Sequence, residues 1–295
     1  MPIPVGIAPK PGTDMIRGHD TMRGRREMKR TGNGRTASRR SVIKSMAAAT
    51  GALLTTEAAG AAPADDSVRQ KLIVAGRILV AEGQDDFTRG HISVRVPGSA
   101  SLFFMKPHSI GLDEVTPENI LTIDLDGNVV AGSARRHSEV YIHSEIFRVR
   151  PDVHCVIHTH PPYAVALSAT GRPLKAYSQA GALFHDSLGV YADTINLIRS
   201  QAMGAAVARA LGPRRGVLLK NHGVAVVGES IEQAVIAVIA LETAAKIQMV
   251  VEAAGEPASE FAPADVVTLR DNLARPDQCV VNFDYLARRV RRRAI

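Results

Sequence analysis

The chain has 295 residues, 45% hydrophobic and 22% charged, enough for one large domain or two small ones with an apolar core. Fibrous, collagen-like and wholly disordered chains are excluded. Its formal net charge is +7, but residues 1–64 carry 11 Lys or Arg against 4 Asp or Glu, so residues 65–295 hold 25 of each sign and sum to zero. Arg288, Arg289, Arg291, Arg292 and Arg293 gather at the C-terminus, which leaves residues 65–287 net negative by five. Basic residues confined to two ends do not make the folded basic face that nucleic acid requires, so no nucleic-acid partner is expected. Two cysteines, Cys155 and Cys279, rule out a disulfide scaffold.

Residues 10–40 are rich in Gly, Arg and Thr and are expected to be disordered. After them come Ser38-Arg39-Arg40-Ser41-Val42-Ile43-Lys44, an Ala-rich run from Met46 to Ala62, and Ala62-Pro63-Ala64 before Asp65. That order is an n-region, an h-region and a small-residue cleavage site, and the paired arginines resemble a twin-arginine export motif. The expectation is a leader over 1–64 and a periplasmic mature chain beginning near Asp65. The alternative is a cytoplasmic protein with a basic extension. The Ala-rich run contains Glu57 and is too weakly apolar to span a bilayer, so no stable membrane anchor is expected.

Asp66 or Ser67 can cap a helix with Val68, Leu72, Ala75 and Leu79 on its apolar side, stopped at Gly83. Residues 91–96 alternate as a half-buried strand, and 101–105 and 121–131 read as strands, the latter hinged at Asp126-Gly127. Thr116-Pro117-Glu118 predicts a short helix. A helix over 138–150 must end before Pro151, and 153–160 is a strand. Pro161-Pro162 opens a helix to Gly171, residues 216–227 form two short strands around Asn221-His222-Gly223, and Ser230 caps a long helix to Gly255. Without regular βαβ alternation, the pattern predicts an α/β protein with a largely antiparallel sheet. The folded domain is expected over 65–275, followed by a basic C-terminal tail over 276–295.

Seven of the ten histidines lie between His91 and His160. In His154-Cys155-Val156-Ile157-His158-Thr159-His160, strand alternation puts His158 and His160 on one face about 7 Å apart, a spacing at which both imidazoles can hold one ion. A His-x-His pair alone is equally consistent with a solvated or core pair. His222, between Asn221 and Gly223 where a strand turns sharply, is a candidate third ligand, and Glu139 a candidate carboxylate. His143, one turn after Glu139, reads as a partner behind the ligands, and His154 as solvent-exposed. Zinc suits such a donor set best, with Mn, Fe, Co or Mg as alternatives.

These residues resemble the class II aldolase/adducin family. The resemblance is carried by Gly90-His91-Ile92-Ser93-Val94-Arg95, Leu121 to Val130, Ser138-Glu139 with Ile142-His143, Arg150-Pro151-Asp152-Val153, Val156 to His160, and Leu218 to Gly223. It implies a three-layer α/β/α fold around a mainly antiparallel sheet, and a homotetramer with active sites between subunits. It also implies one divalent metal per chain on His158, His160 and His222, with Glu139 as ligand and proton-transfer group.

Where sugar-phosphate members hold phosphate with Asn, Ser and Thr, this chain has His91, His108-Ser109 and His137-Ser138, with Lys106 beside Pro107. That substitution resembles the branch that decarboxylates aromatic or dienoic hydroxy acids. It makes His91, Lys106, Ser109 and Ser138 candidate substrate contacts, and Glu139, His108 and His137 candidate proton donors. Protonated imidazoles would favour an anion, so its binding is expected to weaken as pH rises through about 6–7. The rival expectations are a ketose-phosphate aldolase or epimerase and, from another class, an adducin-like scaffold without catalysis. Tyr285 reads as a surface aromatic.

Overall fold

The computed structural model describes residues 63–255 and 258–293. The twin-arginine segment expected around Arg39 and Arg40 lies outside the described residues. Helix α1 (Pro63–Ala81) starts slightly before the expected cap. Pro in a first turn has its φ preset and no N–H to leave unpaired, and Asp65 and Asp66 complement the positive helix end.

Eight strands form one sheet: β1 (His91–Arg95), β2 (Leu102–Met105), β3 (Leu121–Asp124), β4 (Val129–Ala131), β5 (Cys155–Thr159), β6 (Leu188–Tyr191), β7 (Gly216–Leu219) and β8 (Gly223–Gly228). Their order is β4-β3-β2-β1-β5-β8-β7-β6. Every neighbouring pair is antiparallel except β6 with β7. The α/β class with a mainly antiparallel sheet is thus the observed one.

Alternation along the strands splits the apolar residues between two faces. Ile92, Val94, Cys155, Ile157, Val224 and Val226 meet α1, α3 (Pro162–Thr170), α6 (Ile231–Ala253) and α8 (Pro276–Arg293) on one side. Val156, Val217, Leu219, Ala225 and Val227 meet α2 (Val140–Val149) and α5 (Gln201–Leu211) on the other. The sheet therefore lies between two helical layers. Helix α6 is long and apolar enough to cross a membrane, yet its Val235, Val238, Leu241 and Ala245 are core residues, as expected of a helix apolar on most of its surface. The remaining helices are α4 (Gln179–Ala182) and α7 (Pro263–Leu273).

Two expectations are corrected. Thr116-Pro117-Glu118 forms a turn, because the Asn119 side chain takes the Thr116 N–H and the Asn119 N–H returns to the Thr116 carbonyl, closing one loop before β3. Residues 276–293 are the helix α8 and no tail: Cys279, Phe283, Leu286 and Ala287 are buried, and Arg289 pairs with Glu82 at 2.7 Å. The folded unit runs on past residue 275.

Candidate metal centre and cavity

The imidazole cluster follows from strand register. His91 on β1 and His158 on β5 are direct partners, and both project from the face that meets α2. His160 leaves β5 just past its end. His222 sits in the tight β7–β8 connection, where Leu219 pairs with Gly223, the His222 N–H donates to the Leu219 carbonyl, and Asn221 takes φ of 60°. A side chain at Gly223 would come within 2.6 Å of His160 Cδ2 and of the Thr159 carbonyl, so only glycine lets the hairpin close onto the two strand histidines. Glu139 occupies the N-cap of α2 without capping it, which frees its carboxylate to point at the sheet.

The result brings one ligand atom each from Glu139, His158, His160 and His222 to within 4.8 Å of one another. Nε2 of His158 and His222 lie 3.7 and 3.6 Å from the Glu139 carboxylate. His158 Nδ1 donates to the Val224 carbonyl at 2.9 Å, which leaves the Nε2 lone pair for the cluster. His160 Nδ1 lies 3.1 Å from Asp86 Oδ2, which favours the proton on Nδ1 and again leaves Nε2 bare. The two Nε2 atoms then face each other at 3.1 Å. Two lone pairs at that distance require a cation or a proton between them. His222 Nε2, buried without a hydrogen-bond partner, completes the set. Three imidazoles and one carboxylate, with the outer nitrogen of His158 held by a carbonyl and that of His160 facing Asp86, fit a divalent ion of the zinc kind.

Burial keeps these imidazoles neutral, as metal ligation needs. Desolvation and neighbouring imidazoles push His91 and His158 well below the usual value, and His222 is pulled to about 4 by burial and then His160. Burial lowers His160 against the pull of Asp86. Glu139 is raised by burial, against the Ile198 N–H, which donates to Oε1 at 2.9 Å, and Arg199.

A cavity of about 410 Å³ opens beside the cluster. His108, His137, Ser138, Glu139, His160 and His222 line it, whereas His91, Lys106 and Ser109 do not. His91 is fully buried behind the ligands, and Lys106 is fully buried with its ammonium on the Thr88 and Pro107 carbonyls and 3.1 Å from His137 Nε2. Ser109 is exposed, with its hydroxyl on His108. His91 and Lys106 therefore lie behind the cavity wall, and Ser109 lies outside it. His137 stands at about 3 through burial and then Lys106, so it is no imidazolium at neutral pH, and anion binding by protonated imidazole is not available there. As expected, His154 is exposed, His143 is buried behind the ligands and Tyr285 is half exposed.

The sequence reading missed Asp86, Thr88, Arg89, Val165, Ile195 and Leu197, which line the same cavity. Asp86 and Arg89 share an ion pair at 2.9 Å, and Arg89 puts a guanidinium on a cavity whose histidines are all neutral. Val165, Ile195 and Leu197 give it an apolar side.

An eight-stranded, mainly antiparallel sheet with three histidines and a glutamate converging at one end defines a candidate divalent-metal centre. The chain belongs to the class II aldolase and adducin family: the Class II Aldolase and Adducin N-terminal domain matches residues 70–249. It is similar to a 3,4-dihydroxyphthalate decarboxylase of Arthrobacter keyseri, 33% identical over 69% of this chain and 86% of the relative. It is also similar to the decarboxylase NovR of Streptomyces niveus, 34% identical over 62% of this chain and 68% of the relative. Among solved structures, an aldolase II superfamily protein from Pseudomonas syringae is 26% identical with a TM-score of 0.71, over 78% of this chain and 94% of that one.

Proposed function

We propose that the protein is a divalent-metal-dependent carbon–carbon lyase that decarboxylates a hydroxylated aromatic or unsaturated carboxylic acid. The observation that carries this reading is the His158–His160–His222–Glu139 cluster opening onto a cavity with neutral imidazoles on one side and Val165, Ile195 and Leu197 on the other. Such a cavity suits a flat ring with polar oxygens on one edge. Two relatives named as decarboxylases point the same way.

When bound, the ion acts as a Lewis acid toward substrate oxygens and lowers the energy of negative charge on the adjacent carbon. The chain's own residues do the rest. Arg89 and the Ser138 hydroxyl meet the substrate's charged and polar groups, and the apolar side excludes water from the ring. Glu139, ionised as a ligand, takes the proton of the substrate hydroxyl and returns it to the carbon that has lost carbon dioxide, an exchange that its raised pKa suits. His108 and His137 serve as neutral donors along the cavity. A homotetramer is part of the proposal.

Cleavage of a ketose phosphate is the second reading, favoured by the Thr88 and Ser138 positions beside Arg89, which offer hydroxyl and guanidinium donors to a phosphate. A non-catalytic scaffold leaves the intact cluster without a use.

The test is metal analysis of purified protein combined with a carbon dioxide release screen over hydroxylated aromatic acids. About one divalent ion per chain is expected, lost together with turnover in the His158→Ala, His160→Ala, His222→Ala triple variant. Full metal occupancy in that variant would overturn the centre. Phosphate-dependent aldol cleavage with no carbon dioxide released from any acid would favour the second reading.

A further inference from the structure

Behind the candidate centre lies a chain of buried polar side chains that the lyase chemistry leaves unused. Ser93 Oγ is 2.6 Å from His143 Nδ1, and His143 Nε2 is 2.7 Å from His91 Nδ1. His91 Nε2 faces the Glu139 Oε2 atom at 3.8 Å and has no hydrogen-bond partner. All three side chains are fully buried.

The protons in such a chain must all run one way, and both ends choose the same way. If His143 Nδ1 donated to Ser93, the hydroxyl hydrogen would need a further acceptor, and Ser93 Oγ has no other partner among the described residues. The opposite end would then carry a bare His91 Nε2 lone pair against a carboxylate. Reversing the direction removes the first fault and turns the second into an N–H facing the carboxylate 3.8 Å away. Ser93 donates to His143 Nδ1, His143 Nε2–H donates to His91 Nδ1, and His91 Nε2–H points at Glu139. Unpaired buried donors and acceptors cost about 1–3 kcal/mol each, and the second arrangement has one fewer and sets no lone pair against the carboxylate, so it is favoured.

We propose that Ser93 and His143 are positioning residues that lock His91 as an Nε2–H donor toward the Glu139 carboxylate, so that Glu139 is held between His91 and the Ile198 N–H with its charge aimed at the metal cluster. The inference rests on the proposed metal centre in one respect: Glu139 must be ionised, as a ligand is. Partners behind metal ligands of this kind govern affinity by about tenfold to a hundredfold.

The experiment uses full-length, zinc-loaded protein with ¹⁵N-labelled imidazoles. Long-range proton–nitrogen correlations should show His91 and His143 each protonated at Nε2 only. Zinc affinity, measured by chelator competition, should fall about tenfold in Ser93→Ala and return in Ser93→Thr, which restores the hydroxyl. A His91 proton on Nδ1, or unchanged zinc affinity in a folded Ser93→Ala, would overturn the proposal. The wild-type spectrum decides the direction of the chain even if Ser93→Ala does not fold. A wild type that takes up no divalent ion would sink the metal centre instead, while the tautomers still report on the chain.

Discussion

Histidines usually change a protein's charge near pH 6.5, but here burial turns that titration into a stability effect. His137 and His143 stand at about 3 and His222 at about 4, all chiefly through desolvation. In the unfolded chain the same groups titrate near 6.5. Between those values the unfolded state binds more protons, so stability rises with pH and is lost as pH falls below 6.5. Each such group contributes a slope of about 1.4 kcal/mol per pH unit. Metal-free protein should therefore lose stability steeply between pH 6.5 and 5, before its carboxylates titrate. Melting temperatures followed from pH 7 to 5 check this, and a flat profile would contradict it. Lys106, lowered to about 8 by burial, works at the other end. Its neutral form is favoured in the fold, so stability gains slightly as pH rises from about 8 toward the ordinary lysine value.

The position of Glu139 depends on how α2 seats against α5. A Cβ added at Gly204 of α5 would overlap the Tyr141 carbonyl and lie 2.9 Å from the Tyr141 Cβ. Gly204→Ala adds about 1 kcal/mol of helix propensity, but overpacking costs about 1–3 kcal/mol and backbone atoms cannot step aside easily. The variant should melt lower than the wild type and bind zinc more weakly, because α2 carries both Glu139 and His143. A Gly204→Ala protein as stable as wild type would show that the helix pair has room to shift.

The same elements explain what was legible in the sequence. His158, His160 and His222 stood out because a two-residue period and an Asn-His-Gly turn are local signals. Arg89, Ile195 and Leu197 did not, since they reach the cavity from loops whose course is set by the sheet. Helix α8 was obscured by its arginines, although Cys279, Phe283, Leu286, Ala287 and Val290 recur at helical spacing. Strand β6 carried too little pattern: four residues that include Gly189, on a strand parallel to β7 and joined to it through α5.

For the molecule as a whole, the export reading remains a proposal, because Arg39 and Arg40 lie outside the described residues. It rests on the order of basic, Ala-rich and small-residue segments before Asp65. Pro63 and Ala64 already belong to α1, so cleavage at Ala64 would remove only the start of that helix and leave Leu72, Ile78 and Leu79 in the core. The ligands of the candidate centre come from α2, β5 and the β7–β8 hairpin, so the site forms only in the folded chain. Metal uptake before transport would then demand a route that carries folded cargo, and a twin-arginine signal supplies one. Replacing Arg39 and Arg40 together by Lys should strand the protein in the cytoplasm, metal-loaded and unprocessed. The wild type should appear outside the cytoplasm with its N-terminus near Asp65. Fractionation with N-terminal sequencing distinguishes the two, and a wild-type chain retained in the cytoplasm with residues 1–64 intact would reduce the segment to a basic extension.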